Sequence, residues 1–216
     1  MTDITHHPDA ELLLGHAAGT LPAAYDLVVA THLTLCDRCR AEVMALEEVG
    51  GLMLEGADPA PVAPGGAAAA LDRARAMPPL PPHRGRSSRA APLPDPVAGF
   101  AMGFADGIRW RPLGAGVKQA TIDTGPGPTA RLLSIPAGRA MPDHSHGGLE
   151  VTMVLTGAYR DEGGRFARGD VQVADETTHH TPVAEPGETC ICLAVTDARL
   201  RFRGLLPRIV QPFVGI

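Results

Sequence analysis

The chain has 216 residues, a formal net charge of −5, and 44% hydrophobic but only 4% aromatic residues. That length admits two small domains or one large one, with cores built from Leu, Val, Ile and Ala rather than from rings. No apolar run approaches the roughly 20 residues that span a bilayer, and the start of the chain lacks the basic and apolar stretches of a secretory signal. The expectation is a cytoplasmic protein whose four Cys are thiols or metal ligands rather than disulfides.

Charge is uneven. Residues 1–58 carry ten Asp or Glu against Arg38 and Arg40, a net −8; residues 59–96 are net +3; from residue 97 onward the charges cancel. An acidic N-terminal module is a poor direct binder of nucleic acid, which needs Lys and Arg at phosphates. It suits a basic protein partner.

The first 55 residues read as three short helices. Asp9 can start one, with Leu12, Leu13 and Ala17 on its buried face and Gly19 at its end. Pro22 sits well at a first turn, and Ala23–Leu33 continues with Leu27, Val28 and Ala30 available for packing. Asp37 can cap a third, in which Val43, Leu46 and Val49 recur at helical spacing before Gly50-Gly51. So small a bundle gains from a structural metal.

The means to hold one lie at the junction of the second and third helices. His32, Cys36 and Cys39 stand at i, i+4 and i+7. On a continuous helix they share a face; with a turn near residues 34–37 they form a knuckle. Tetrahedral Zn2+ wants a fourth N or S donor. His7 is the first candidate, His6 the second and His16 the third. A Cys-x2-Cys alone could also be a redox pair; the added His favours zinc.

Residues 56–66 and 77–96 are crowded with Pro, Gly and Ala and read as linker, with residues 81–96 as its Pro-rich core. Between them Ala67–Ala76 is a fourth helix by propensity, with Leu71 its one sizeable apolar anchor. It has little reason to pack on its own domain and suits docking on a partner.

From about Val97 the pattern becomes β. Segments at Ala120–Thr124, Ala130–Ile135, Glu150–Leu155, Ala158–Asp161, Asp170–Ala174, Thr189–Val195 and Leu200–Gly204 are punctuated by Gly, Pro and Asp. Many short strands without a long helix argue for an antiparallel sandwich, barrel or jelly roll. His144 and His146 alternate and so share a face, Glu150 follows a Gly-Gly turn, and only one of His179 and His180 can point inward. Three imidazoles and a carboxylate suit Zn2+ or another divalent metal such as Fe, Mn or Ni. Cys190 and Cys192, at i and i+2 on a strand, share a face at or beyond the usual disulfide limit; they are either small core residues or a redox pair. Met102, Met141 and Met153 read as packing rather than oxidant targets.

These motifs carry two resemblances. The first 80 residues resemble the zinc-binding anti-sigma domain, with His7, His32, Cys36 and Cys39 in its pattern of an early His followed by His-x3-Cys-x2-Cys. The later segment looks like a cupin. Gly138, His144, His146, Glu150 and Gly157 match its first motif; Gly169 and His180 match its second, in which Asp175, Thr177 and Ala184 replace the usual Pro, Gly and Asn. The offset selects His180 over His179.

Together they resemble the ChrR-type anti-sigma factors. That resemblance implies an α plus β chain of three parts. Residues 1–80 are a zinc-binding helical bundle of three helices plus a partner-clasping fourth, 81–96 a linker, and 97–216 an antiparallel jelly-roll cupin. It further implies a regulator, not an enzyme, that inhibits an extracytoplasmic-function (ECF) sigma factor until singlet oxygen or organic hydroperoxide acts through the cupin. The alternative is a cupin-type dioxygenase or isomerase with an accessory zinc domain. The sequence offers no route by which a cupin signal reaches the N-terminal module.

Overall fold

The structure is a computed structural model that describes residues 4–78 and 108–202. Met102, most of the Pro-rich linker and residues 203–216 lie outside the described residues. Four helices come first: α1 (Ala10–Ala17), α2 (Ala23–Leu33), α3 (Asp37–Glu55) and α4 (Gly66–Ala76). Asp9 caps α1, its carboxylate accepting from the Leu12 amide at 2.8 Å. Pro22 precedes α2, where a missing N–H costs nothing.

Two local expectations are corrected. The cap of α3 is Cys36, whose sulfur accepts from the Cys39 amide, and Asp37 is the first helical residue. The helix also runs through Gly50-Gly51 to Glu55. Both glycines have helical backbone, so neither supplies the left-handed turn that would end it.

The remaining elements are antiparallel strands: β1 (Arg111–Gly114), β2 (Val117–Ile122), β3 (Thr129–Ile135), β4 (His144–Ser145), β5 (Glu150–Thr156), β6 (Ala158–Asp161), β7 (Gly164–Ala167), β8 (Val171–Ala174), β9 (His179–His180), β10 (Val183–Ala184), β11 (Cys190–Thr196) and β12 (Arg201–Phe202). Among the described residues they form a six-stranded sheet in the order β1-β2-β3-β11-β5-β8, and two three-stranded sheets, β10-β6-β7 and β12-β4-β9. This is the jelly-roll arrangement.

Strand β5 shows how the sheet is used on both faces. Val151, Met153 and Leu155 belong to one apolar cluster with Leu193 and Val195 of β11 and with Leu13, Val28 and Val29 of the helices. Val154 turns the other way and packs with Cys190, Cys192 and Tyr159 in the interior of the β module. Alternation along the strand therefore gives one face to the helices and the other to the barrel interior. Both faces are buried, which explains the nearly continuous apolar run Val-Thr-Met-Val-Leu.

Helix α2 is the joint. It buries Ala24, Tyr25, Leu27, Val28, Val29, Thr31 and His32, which cover more than half of its circumference, and leaves only Ala23 exposed. A buried arc this wide needs more than one covering surface. One side meets α1 and α3; another meets β3, β5 and β11. The Tyr25 hydroxyl donates to the Leu149 carbonyl at 3.0 Å, and His32 reaches Gly169 at 2.9 Å. The helical module and the sheet share a single core despite the Pro-rich stretch between them.

Helix α4 is the opposite case. It buries no side chain, and Leu71 is 57% exposed.

Candidate metal centres

The first centre forms where α2 hands over to α3. The helix stops at Leu33, the chain turns, and Cys36 opens α3, so His32, Cys36 and Cys39 come together as a knuckle. The N-terminal segment brings His7 against them, its Nδ1 lying 3.5 Å from Cys36 Sγ and 3.3 Å from Cys39 Sγ. Donor atoms of all four residues lie within 4.8 Å of one another. The other two histidines are engaged elsewhere. His6 stacks on Phe166 with centroids 4.3 Å apart, and His16 pairs with Asp26 at 2.7 Å.

These residues fit a metal. His32 Nδ1 must carry the ring proton, because its partner, the Gly169 carbonyl at 2.9 Å, only accepts. Nε2 is then a bare lone pair, buried and without a hydrogen-bond partner among the described residues. An orphaned buried acceptor costs about 1–3 kcal/mol. The N···S spacings match the edge of about 3.5 Å that Zn–N and Zn–S bonds of ordinary length make at tetrahedral angles. Burial, then the hydrogen bond of the Cys39 thiol to its neighbour Cys36, pushes that thiol up to about 12, and burial, then Arg38, holds His7 below its ordinary range. A cation reverses the thiol's preference by stabilising the thiolate.

The second centre lies inside the β module. On β4 and β9, His144 faces His180 directly and Ser145 faces His179. Cross-strand partners share a face, so His144 and His180 turn inward while His179 turns out to Asp143 at 3.0 Å. His146, just past β4, and Glu150, the first residue of β5, complete the group. His180 Nε2 lies 3.1 Å from His144 Nε2 and 3.2 Å from His146 Nε2; Glu150 Oε2 is 3.5 Å from His146 Nδ1.

Tautomers again point to a cation. His144 Nδ1 donates to the Pro142 carbonyl at 2.8 Å, and His180 Nδ1 to the Asp161 carboxylate at 2.7 Å. When both rings are neutral, their Nε2 lone pairs face each other at hydrogen-bond distance. A cation removes that repulsion, and the spacing suits bonds of about 2.0–2.1 Å. Burial holds His144 below the usual imidazole range. Burial acts to raise Glu150, but the hydrogen bond and field of the neighbouring histidines prevail, and its carboxyl lies below the usual range.

Sequence reasoning missed the residue behind His180. Asp161 has a fully buried carboxylate that also accepts from Gln172 Nε2 at 2.7 Å, and Gln172 in turn accepts from the Tyr159 hydroxyl at 2.8 Å. Such partners fix ring orientation and raise ligand basicity. A small cavity of about 50 Å³ adjoins the centre, lined in part by Met141, His144, Glu150, Tyr159 and Cys192. Cys190 and Cys192 are buried free thiols with sulfurs 3.6 Å apart. The hydrogen bond with Cys190, then burial, raises the Cys192 thiol well above its ordinary range. Met153 is fully buried in the shared core.

Both groups are compatible with metal binding. Among the described residues, no helix is long and apolar enough to cross a membrane. A family model described as the ChrR Cupin-like domain matches residues 100–198. The chain is 51% identical over 216 residues to the anti-sigma-E factor ChrR of Cereibacter sphaeroides, covering 99% of each. It is also similar to a solved structure, Rhodobacter sphaeroides SigE in complex with the anti-sigma ChrR. There the identity is 47% and the TM-score 0.76, over 90% of this chain and 100% of that one. At that identity and coverage, the chain belongs to the ChrR family of anti-sigma factors.

Proposed function

We propose that this protein is a cytoplasmic anti-sigma factor. Its helical module (residues 1–80) binds and inhibits an ECF sigma factor, and its cupin module (97–216), joined through residues 81–96, governs release in response to singlet oxygen or organic hydroperoxide. The observation that carries this reading is the unpartnered apolar surface of α3 and α4. Met44, Val49, Leu52, Met53 and Leu54 of α3 are 55% or more exposed in the most acidic part of the chain, and Leu71 of α4 is 57% exposed. Apolar surface of this extent marks an interaction site. An acidic rim around it suits a partner that is itself basic, as nucleic-acid-binding proteins are.

His7, His32, Cys36 and Cys39 would hold Zn2+, which in a site closed by four protein ligands supplies folding energy rather than chemistry. His144, His146, Glu150 and His180 would hold Zn2+ or another divalent metal, which when bound would supply Lewis-acid or redox chemistry beside the small cavity. Asp161 orients His180, the Pro142 carbonyl orients His144, and the apolar lining limits what enters. Cys190 and Cys192 are packing residues at rest; as a redox pair they would act only after the interior opens to an oxidant.

The second reading, a cupin-type dioxygenase or isomerase, finds little support in the cavity. Its volume of about 50 Å³ admits one or two water-sized molecules, against the several hundred Å³ typical of substrate pockets. Co-expression with an ECF sigma factor, followed by size-exclusion chromatography and metal analysis, tests the proposal. A one-to-one complex that blocks sigma-dependent transcription is expected. A chain that ignores sigma factors and turns over a small substrate would overturn it.

A further inference from the structure

We propose that the turn between β7 and β8, Arg168-Gly169-Asp170, is a positioning element of the first metal centre, so that the cupin module sets how tightly the helical module holds its metal. The inference rests on the reading of His7, His32, Cys36 and Cys39 as metal ligands.

His32 and the segment that carries His7 both touch this one turn. The Gly169 carbonyl accepts from His32 Nδ1 at 2.9 Å and so fixes which ring nitrogen faces the other ligands. The Asp170 carboxylate accepts from the backbone amides of Thr5 at 2.7 Å and His6 at 2.9 Å, holding the segment that presents His7. Its other oxygen accepts from the Ala167 amide at 2.8 Å, which ties the carboxylate to its own turn. The Val171 amide donates to the His6 carbonyl at 3.1 Å, so the N-terminal segment is pinned on both sides.

The shape of the turn serves the same contact. Gly169 has φ +96°, and a Cβ there would lie 2.6 Å from Ile4 Cδ1 and 3.9 Å from Leu35 Cδ1. A side chain would push Ile4 away and strain the backbone. Ile4, just ahead of His7, and Leu35, inside the knuckle turn, thus converge on a residue that only glycine can fill.

These contacts do more than bury area. A docking surface needs apolar cover, which α2 already provides. The turn instead supplies the hydrogen bonds that set a ligand's tautomer and a ligand segment's path, and losing such partners typically costs 10–100-fold in metal affinity. Asp170 is 3% exposed, and burial alone would raise its carboxyl; the amides of Ala167, His6 and Thr5 outweigh that and keep it a carboxylate. Strand β8 continues from this turn to Gln172, which holds Asp161 behind His180. One short segment is therefore built against both centres.

The test uses the full chain loaded with cobalt(II). Thiolate-to-cobalt charge transfer reports Cys36 and Cys39 alone, because the cupin ligands include no thiolate. In Asp170→Asn, which loses the charge and turns one acceptor into a donor, decay of that band under excess chelator should speed up about 10–100-fold. Cobalt without the thiolate band, counted by total metal, should leave at the wild-type rate. Hydrogen exchange at the Thr5 and His6 amides should accelerate in parallel. Should Asp170→Asn not fold, Ile4→Asp breaks the joint from the helical side while leaving the turn's own bond intact, and the same faster decay is expected. Decay within about twofold of wild type despite faster amide exchange would overturn the proposal, as would unchanged exchange. Absence of a thiolate band in the wild type would instead overturn the assignment of the metal ligands.

Discussion

Val28→Ala measures whether the helical and cupin modules stand or fall together. Val28 is fully buried, between Tyr25 and His32 on the stripe of α2 that reaches Leu149 and Gly169. Truncation removes two methyl groups, worth about 1.6 kcal/mol of transfer free energy at about 0.8 kcal/mol each. Space left unfilled, at most about 50 Å³, adds up to about 1.2 kcal/mol. The expected loss is therefore about 1.6–2.8 kcal/mol. Trp110 is the only tryptophan of the chain, and it packs against the shared core from the β side. Its fluorescence reports the cupin module while the helical circular dichroism signal reports α1–α4. In a urea titration of the metal-loaded protein, both transitions should coincide in the wild type and move down together in Val28→Ala. A helical transition that shifts while that of Trp110 stays in place would refute the single core.

Four further outcomes follow from the two centres and the surface. Cys36→Ser or Cys39→Ser should abolish zinc binding, the helical signal of the small bundle and sigma inhibition, since a structural zinc supplies on the order of 10 kcal/mol in small domains; retention of all three would sink the assignment. His144→Ala, His146→Ala, Glu150→Ala and His180→Ala should keep sigma binding but blunt a reporter's response to photosensitiser and light, whereas His179→Ala should respond as wild type. Asp161→Asn should weaken the cupin centre's hold on metal by about 10–100-fold in competition with a chelator, with the helical centre as internal reference. Glu185 accepts from Arg160 at 2.7 Å and Arg165 at 2.8 Å, and mainly the Arg165 hydrogen bond holds its carboxyl below the usual range. The stability this adds is present above the unfolded carboxyl range and lost as pH falls through the depressed one, so Glu185→Ala should cost at most about 1 kcal/mol at neutral pH and nothing in acid.

The two candidate ligand groups were legible as groups because their members follow from local spacing. Knuckle and cupin motif are each short, and their residue types have few other reasons to recur at those intervals. Helix α2 was legible from Pro22 to Leu33 for similar reasons, and the longer strands were found to within a few residues. Strands β4, β9 and β10 have two residues each, too few to show a period. Gly50-Gly51 misled because glycine lowers helix propensity by only about 1 kcal/mol, which a 19-residue helix tolerates. The partners of the ligands were invisible for a different reason. Asp161 meets His180 across 19 residues, and Asp170 meets His6 across 164. No local pattern encodes such contacts. One signal was available and unused: the breadth of the apolar arc on α2, which requires a second covering surface beyond the other helices.

That shared core changes what cutting the chain would accomplish. A protease acting between the modules severs one covalent connection, yet the apolar contact of α2 with β3, β5 and β11 and the Asp170 clasp remain. The nicked product would behave as a two-chain complex. Its halves would part at a rate set by opening of the interface and would rejoin at a rate set by dilution, because the effective concentration that the linker enforced is gone. Backbone cleavage would then convert a concentration-independent association into a concentration-dependent one.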